Sequence, residues 1–212
     1  MKIPKKGSVK TYKSLLAVAG EIFADKGYRD TTIAEICERA GTNIASVNYH
    51  FGDKETLYRE AWRHSFLKSI KAHPPDGGVS DDAPPEERLR GQVAALLHRI
   101  VDKNNKEFLL VQKELANPTG LLEEVFREEI RPLQERMRTV IRELLSPHIP
   151  DMLVEFCEIS VISQCINPVV VRRGREGEND HPGIEDIEAY SDHVLEFSLG
   201  GIRAILKAAE KK

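Results

Sequence analysis

The chain of 212 residues is poor in cysteine and has no long apolar run. Its three cysteines are Cys37, Cys157 and Cys165, and because none forms a CxxC pair, neither a disulfide framework nor a zinc site is indicated. Cys157 and Cys165 can share one helix face; buried apolar thiols are the simpler interpretation, and redox sensing is the alternative. No apolar run approaches the roughly 20 residues that span a bilayer, so we expect no membrane partner.

Sequence motifs of enzymes are absent as well. The chain has seven histidines but no HExxH, and it has no GxSxG, phosphate-binding loop or GxGxxG. An enzyme is therefore the weaker reading, and we expect no catalytic residues, no metal and no cofactor. The basic N-terminus lacks the apolar stretch of a signal peptide, which indicates a cytoplasmic protein.

The charge of the chain is small overall but unevenly distributed. The formal net charge is −3, which by itself argues weakly against a nucleic-acid partner. Residues 1–53, however, carry eight Lys/Arg and six Asp/Glu, whereas the remainder has an excess of five acidic residues. Because salt screens charges beyond about 10 Å, a basic end on an acidic body can still bind phosphate locally.

Helical periodicity runs through most of the chain, and no segment alternates with period two, so the sequence predicts an all-α fold. Prolines and glycines interrupt the helical periodicity at two polar loops, 73–85 and 172–183. One long helix is expected over 120–145, kinked at Pro132. We divide the chain into an N-terminal helical domain at 1–53, a connecting helix at 54–72, and a C-terminal helical domain at 54–212.

Three helices are predicted near the N-terminus. The first ends at Gly27, and the second begins in a capping box, Thr32 to Glu35, and breaks at Gly41. Asn43 then caps a short helix over 44–50. A tight turn between the second and third helices is typical of a helix-turn-helix, whose third helix enters the major groove of DNA.

The third helix carries the residues that favour this interpretation. Its inward side is formed by Val47 and Phe51, with Ile44 as a third candidate. The other side chains are small, hydroxylic, amide or aromatic groups that suit phosphates and base edges, whereas a merely solvated helix face usually carries Glu and Lys. These residues are Thr42, Asn43, Ala45, Ser46, Asn48, Tyr49 and His50. Lys54 follows in the first turn of the fourth helix, where ammonium and free amides can hold a phosphate together.

Residues 14–66 resemble the DNA-binding domain of the TetR family of repressors. The resemblance rests on A-x-x-x-F-x-x-x-G-Y at Ala19 to Tyr28, T-T-I-A-E-I at Thr31 to Ile36, and Y-H-F-x-x-K-E-x-L at Tyr49 to Leu57. It implies that Thr32, Thr42, Asn43, Tyr49, His50 and Lys54 touch phosphates. It also places Ala45, Ser46 and Asn48 near base edges. Asn48 departs from the leucine or tyrosine common in the family, so the base preference cannot be carried over.

The C-terminal part resembles the CecR-like branch of the family. The shared segments are SVISQCI at Ser160 to Ile166, FSLGGIRAI at Phe197 to Ile205, and the segment IRPLQERM. The resemblance implies that 54–212 is a ligand-binding and dimerisation domain and that the chain forms a homodimer through the last two helices. It also implies a palindromic operator in double-stranded DNA, which is released when an unknown small molecule enters a cavity. Candidate cavity residues are Trp62, Phe66, Phe108, Gln112, Phe126, Met137 and Gln164; a plain core role is the alternative for each apolar member.

A second alternative is a helical interaction module that docks a protein and never touches DNA. It predicts no salt-dependent affinity for DNA, whereas a repressor's affinity falls steeply as salt rises. An activator is possible too, because the sequence carries no sign of regulatory direction.

Overall fold

The computed structural model describes residues 6–173, 184 and 186–209. Side chains are described from residue 8 onward, except those of 168–173. The described residues confirm the predicted all-α fold. The predicted loop 172–183 lies, from residue 174 onward, outside these residues. Within the described ranges, no helix combines the length and apolarity that crossing a membrane requires. The helices are α1 (Lys6–Asp30), α2 (Ile33–Arg39), α3 (Ile44–Phe51), α4 (Lys54–Ala72), α5 (Pro85–Val101), α6 (Glu107–Ala116), α7 (Glu123–Glu129), α8 (Arg131–Leu144), α9 (Asp151–Arg173) and α10 (Ile187–Ala209).

The helices form two compact units. Unit 1 comprises Met1–Ser69 and Lys103–Glu129, and unit 2 comprises Ile70–Asp102 and Ile130–Lys212. In unit 1, α1 packs against α2, α3 and α6. Its fully buried side chains recur at helical spacing, and they include Leu15, Phe23, Ile36, Val47, Leu57, Tyr58, Trp62 and Leu110.

The predicted caps set the starts of α2, α3 and α4. Thr32 Oγ1 accepts the Glu35 amide at 3.2 Å, and Asn43 Oδ1 accepts the Ser46 amide at 3.1 Å. Asp53 Oδ1 accepts the Thr56 amide at 2.7 Å. The Glu35 carboxylate pairs with Lys26 Nζ at 2.5 Å, so the side chain expected to complete the capping box is engaged with α1.

A buried carboxylate joins α4 to α6. Glu114 Oε2 accepts the Tyr58 hydroxyl at 3.0 Å, and Glu114 Oε1 accepts the amides of Thr119 at 2.8 Å and Gly120 at 3.0 Å. Burial raises the pKa of Tyr58 well above its usual value, with the charge of Glu114 as the next cause, so the phenol stays protonated and donates. Glu114 therefore fixes the turn after α6 against α4.

The single kinked helix expected over 120–145 is wrong: two helices, α7 and α8, occupy this range. Pro132 lies in the first turn of α8. A proline has no amide to donate and clashes with the preceding helical turn, but its fixed φ suits the start of a helix. Pro132 therefore begins a new helix instead of bending an existing one.

Unit 2 is built around α5, which packs against α8, α9 and α10. Arg138 on α8 donates to Glu158 Oε2 on α9 through Nε at 2.8 Å, and Glu158 is only 2% exposed. Cys157 and Cys165 are both buried in α9, and burial raises the pKa of Cys165 to about 12. A thiol that stays protonated is a poor nucleophile, which favours the structural interpretation of this cysteine.

The apolar periodicity of α10 predicts an inward side formed by seven residues, of which the structure buries only Val194 and Ile202. The seven are Ile187, Tyr190, Val194, Phe197, Gly201, Ile202 and Ile205. Phe197, which we expected to face inward, is 66% exposed. Gly201, expected on the same side, is exposed too. The side chains that α10 buries are Ser191, Val194, Leu195, Ser198, Leu199 and Ile202. Periodicity alone allowed two apolar stripes, and packing onto α5 and α9 selected one of them.

Two glycines allow the loop after α4 to touch α5. A Cβ on Gly91 would lie 2.3 Å from the Asp76 carbonyl oxygen, and one on Gly77 would lie 2.5 Å from the Gly91 carbonyl oxygen. Gly77 also has a φ of +63°, a conformation that favours glycine. The loop therefore rests directly on the α5 backbone.

Gly91→Ala should lower the free energy of unfolding by about 1–3 kcal/mol, because the added methyl group meets backbone that cannot rotate away. Chemical denaturation measures the change. Glu87→Ala, on an exposed position one turn earlier in α5, is the matched control and should change it by less than about 0.5 kcal/mol. Equal effects would show that the loop does not rest on α5 as described.

Candidate nucleic-acid interface

The inner side of α3 is held by the core of unit 1. Val47 is fully buried and Phe51 is 6% exposed. The Tyr12 ring of α1 stacks on Phe51 with centroids 5.0 Å apart and meets the His50 ring edge-on at 5.7 Å. Ile44, the third inward candidate, is 51% exposed, so two anchors and one aromatic neighbour fix the orientation of α3.

The outer side of α3 is polar and uncharged. Asn43, Ala45 and Asn48 are exposed, and Tyr49 is the most exposed of its large side chains at 76%. The rings of Tyr49 and His50 meet edge-on at 4.9 Å. An exposed tyrosine on a helix without carboxylates offers a hydroxyl and a ring face to a polyanion without repelling it.

The N-terminal end of α3 is a hydrogen-bonded cluster. The Thr42 hydroxyl donates to Ser46 Oγ at 2.8 Å, and Ser46 Oγ donates to Asn43 Oδ1 at 3.3 Å. Asn43 Oδ1 also takes the Ser46 amide. Thr42, Asn43 and Ser46, all predicted DNA contacts, thus stabilise the start of α3 through these hydrogen bonds. The side-chain nitrogen of Asn43 lies outside the cap. Thr32 is likewise an exposed cap, on α2.

The start of α4 differs from the expected open phosphate site. Lys54 Nζ lies 4.3 Å from the centroid of the Tyr28 ring, and burial lowers the pKa of this lysine. The Asp53 carboxylate accepts a hydrogen bond from the Thr56 amide, and this hydrogen bond lowers the pKa of Asp53. Lys54 is therefore held in place by Tyr28, while one of the amides expected to be free is already bonded.

Tyr12 and Tyr28 are the residues of this surface that the sequence argument missed. Both lie in α1, whose apolar periodicity predicts only a core role for its aromatic residues. Tyr28 follows Gly27, whose φ of 82° and ψ of 176° break the helix and redirect the chain. Neither the stacking on Phe51 nor the contact with Lys54 leaves a signal at a fixed sequence spacing.

Three of the seven candidate effector residues come together in unit 1. The Trp62 ring stacks on Phe66 at 5.1 Å and meets Phe126 edge-on at 5.1 Å. Trp62 is fully buried, and its Nε1 has no hydrogen-bond partner among the residues that the structure describes. A buried N–H without an acceptor is costly and is a natural partner for a bound molecule.

The other four candidates are less closely gathered. Phe108 and Gln112 are half-buried in α6 of unit 1. Met137 and Gln164 belong to unit 2, where Gln164 Nε2 donates to Ser198 Oγ at 3.2 Å and so links α9 to α10. Their part in effector binding stays a prediction.

Arg63 links α4 to α7 beside the Trp62 group. Its Nε donates to Glu129 at 3.0 Å and its Nη2 to Glu128 at 2.6 Å, while Nη1 pairs with Glu60 at 2.6 Å. Arg63 and Glu129 are half-buried, so salt screens this group less than a fully exposed pair. The position of α7 is thereby tied to the helix that begins with Lys54.

Asn43→Ala should lower the free energy of unfolding by about 1 kcal/mol, because the first turn of α3 loses its cap. Asn43→Asp retains a capping oxygen and should stay close to the wild-type protein. Urea denaturation of the two variants separates the cap from other effects, and an equal loss in both would contradict the assignment.

Two families of known proteins match this chain. Residues 85–202, more than half of the chain, match the family described as "HTH-type transcriptional dual regulator CecR, C-terminal domain". Residues 15–61 match the family described as "Bacterial regulatory proteins, tetR family". The N-terminal match runs past residue 53 into the predicted connecting helix.

Individual relatives are more distant. The repressor KstR2 of Mycobacterium tuberculosis is 34% identical over 100 residues, covering 47% of this chain and 48% of that protein. The chain thus spans about half the length of this relative. CecR of Shigella flexneri is 26% identical over 139 residues, covering 61% of this chain and 62% of that protein.

Solved structures share the fold at low identity. A TetR-like regulator from Rhodococcus sp. RHA1 aligns with a TM-score of 0.69 at 17% identity, covering 95% of this chain and 99% of that one. AibR, solved with isovaleryl coenzyme A and operator DNA, aligns with a TM-score of 0.65 at 17% identity, covering 88% of this chain and 97% of that one.

Proposed function

Because the chain belongs to the TetR family of bacterial regulatory proteins and carries a CecR-type C-terminal domain, we propose that it is a DNA-binding transcription repressor of the cytoplasm. It binds a palindromic operator as a homodimer and leaves it when a small molecule binds. The observation that carries this proposal is the exposed polar side of α3, a helix whose other side is anchored by Val47 and Phe51.

Contact with DNA divides between phosphates and bases. Tyr49, His50, Lys54 and the capping residues of α2 and α3 serve the phosphates, since hydroxyl, imidazole, ammonium and amide groups donate to phosphate oxygens. Ala45, Ser46 and Asn48 serve the base edges. Asn48 is exposed, and an asparagine side chain pairs with the N6 and N7 atoms of adenine.

The outer faces of α9 and α10 support dimerisation. Met152, Phe156 and Ile159 on α9 are each more than half exposed, as is Phe197 on α10. Small residues accompany them at helical spacing, namely Ser160, Ser163, Gly200, Gly201 and Ala204. Apolar and small side chains on the outer faces of two paired helices suit a two-fold contact with a second copy, which matches a palindromic operator.

An effector in unit 1 would reach α4 through the Trp62 group. Trp62 and Arg63 lie on the helix that begins at Lys54, and both contact α7. A ligand that separates α4 from α7 therefore has a direct route to the DNA-contacting end of α4. To release the operator it must bind the non-binding geometry more tightly than the binding one. AibR, solved with both an acyl-CoA and operator DNA, supports the same pairing of ligands for this fold.

The double variant Tyr49→Ala with His50→Ala should lose operator binding, because it removes two phosphate contacts from each half-site. Gel shifts on the DNA upstream of the chain's own gene, at two salt concentrations, measure the affinity, and circular dichroism checks helicity. The wild-type affinity should fall steeply with salt, as counterion release requires.

Leu115→Ala is the control for this experiment, since Leu115 is 72% exposed and lies on α6, away from α3. Full binding by the double variant would refute the interface. Salt-independent or absent binding by the wild-type protein would favour the helical interaction module. A reporter assay with and without the gene distinguishes repression from activation. Activation is tested because the CecR relative is named a "dual regulator".

Gly201→Leu should weaken dimerisation by about tenfold or more, since overpacking costs about 1–3 kcal/mol. Apart from the adjoining residues and backbone of α10 itself, no atom of the described residues lies within 4 Å of a Cβ placed on Gly201, so a defect in the dimer is expected to come from a second copy. Sedimentation equilibrium measures the dimer. Arg203→Leu adds the same side chain on a different exposed side of α10 and should leave the dimer intact; a dimer unaffected by Gly201→Leu would place the interface elsewhere.

Trp62 is the only tryptophan in the sequence, so intrinsic fluorescence reports on it alone. Any compound that releases the operator should change Trp62 emission, and isovaleryl coenzyme A is the first probe, with free coenzyme A beside it. Trp62→Phe keeps a ring but removes the N–H and should weaken release by about tenfold. A compound that releases DNA without changing the emission would move the effector site away from Trp62.

A further inference from the structure

We propose that the DNA contact continues from α3 onto a basic strip of α1 and α4, which binds backbone phosphates outside the base-contacted half-site. The basic strip consists of Lys10 and Lys13 on α1 and Lys68 on α4, all within unit 1. None of the three is among the predicted DNA contacts or the candidate effector residues. The inference rests on the proposed function, because it extends the DNA surface of α3.

The two helices that carry the basic strip pack against each other in an antiparallel arrangement. The rings of Phe23 and Tyr58 meet edge-on with centroids 4.8 Å apart. Nearer the start of α1, a Cβ on Gly20 would lie 3.2 Å from Ser65 Oγ, which lies further along α4. The early turns of α1 therefore lie beside the later turns of α4.

His64 marks the place where lysines from the two helices meet. This side chain is half-buried, and its pKa is lowered by burial first and then by the charges of Lys68 and Lys13. Lys10 precedes Lys13 by three residues on α1, so their side chains are neighbours on the helix surface. Three ammonium groups from two distant parts of the sequence thus share one surface region.

The lysines of the basic strip are free to bind a partner. All three are exposed, and none forms an ion pair with another residue in the part of the chain that the structure describes. Other cations of unit 1 are engaged, since Lys26 pairs with Glu35 and Arg39 pairs with Glu21. Clustered like charges without counterions raise the local positive potential, which favours a polyanion.

The chain segments around the basic strip contain no carboxylate. Neither residues 1–20 nor residues 61–69 include an Asp or a Glu, although the formal net charge of the chain is −3. The acids next to this part of α4 are Glu60, Glu128 and Glu129, and all three pair with Arg63. The acidic excess of the chain is thus kept off this surface region.

Continuity with α3 selects duplex DNA as the partner. Tyr12 precedes Lys13 in α1, and its ring meets the ring of His50, a proposed phosphate contact, at 5.7 Å. The basic strip therefore starts beside the proposed DNA surface. A DNA backbone carries about one negative charge per 1.7 Å of helix axis, so phosphates continue beyond those that α3 contacts. Lysines that bind them add affinity without adding a base preference.

Two duplexes cut from the DNA upstream of the chain's own gene test the proposal. Dimethyl sulfate protection marks the base-contacted half-sites, and the short duplex ends at their outer edges. The long duplex extends about ten base pairs, or one helical turn, further on each side. The wild-type protein should bind the long duplex about tenfold more tightly, with a steeper salt dependence, because each added lysine–phosphate contact releases counterions.

Lys13→Gln combined with Lys68→Gln should bind both duplexes equally, at the affinity that the wild-type protein has for the short one, and with the shallower salt dependence. Lys13→Arg combined with Lys68→Arg keeps both charges and should keep the preference for the long duplex. Arg203→Gln combined with Lys207→Gln, at exposed positions of α10, is the matched control for the loss of two positive charges and should keep it too.

Equal binding of the two duplexes by the wild-type protein, or a preference for the long duplex that survives the Lys→Gln variant, would overturn the basic strip but leave the α3 interface standing. Absence of wild-type binding to either duplex would refute the proposed function, and the basic strip with it. Phosphatidylserine vesicles test the other polyanionic partner. Vesicle binding that the Lys→Gln variant loses, without any preference for the long duplex, would assign the basic strip to a membrane surface instead of DNA.

Discussion

The burial of Val47 and Phe51 under α1 is the constraint on which the proposed DNA-reading surface depends. A helix of eight residues is not stable alone in water, so α3 exists because its inner side is packed. The Asn43 cap sets where it starts, and Gly52, with a φ of +81°, ends it. Stacking of Tyr12 on Phe51 then fixes its rotation, which leaves the polar side chains facing outward as a set.

The rest of unit 1 holds α4 in a defined place. Its Tyr58 hydroxyl reaches the buried Glu114 carboxylate, and its Arg63 guanidinium reaches two carboxylates of α7. The second segment of unit 1, Lys103–Glu129, thereby contacts α4. The first residue of α4, Lys54, lies over the Tyr28 ring. A molecule that disturbed the Trp62 group would act on this same helix, so the proposed DNA contact and the proposed effector response share one structural element.

Unit 2 divides its helices into an inner and an outer side. Toward the inside, α9 and α10 bury Val154, Val161, Val194 and Leu199 against their neighbours. Toward the outside, the same helices expose apolar and small residues. Exposed apolar patches of this kind are unusual on a surface that has no binding partner. The loop after α4 is held on α5 by the close approach of two glycines.

Much of this protein is determined by local sequence. Thr32, Asn43 and Asp53 cap the helices that they precede, and Gly52 ends α3, because capping and chain reversal depend on a few neighbouring residues. Tertiary structure decided the rest. Only packing placed Tyr28 beneath Lys54, turned Phe197 to the surface and made Pro132 the start of α8. These outcomes depend on contacts between residues far apart in the chain, and spacing along a sequence carries no measure of them.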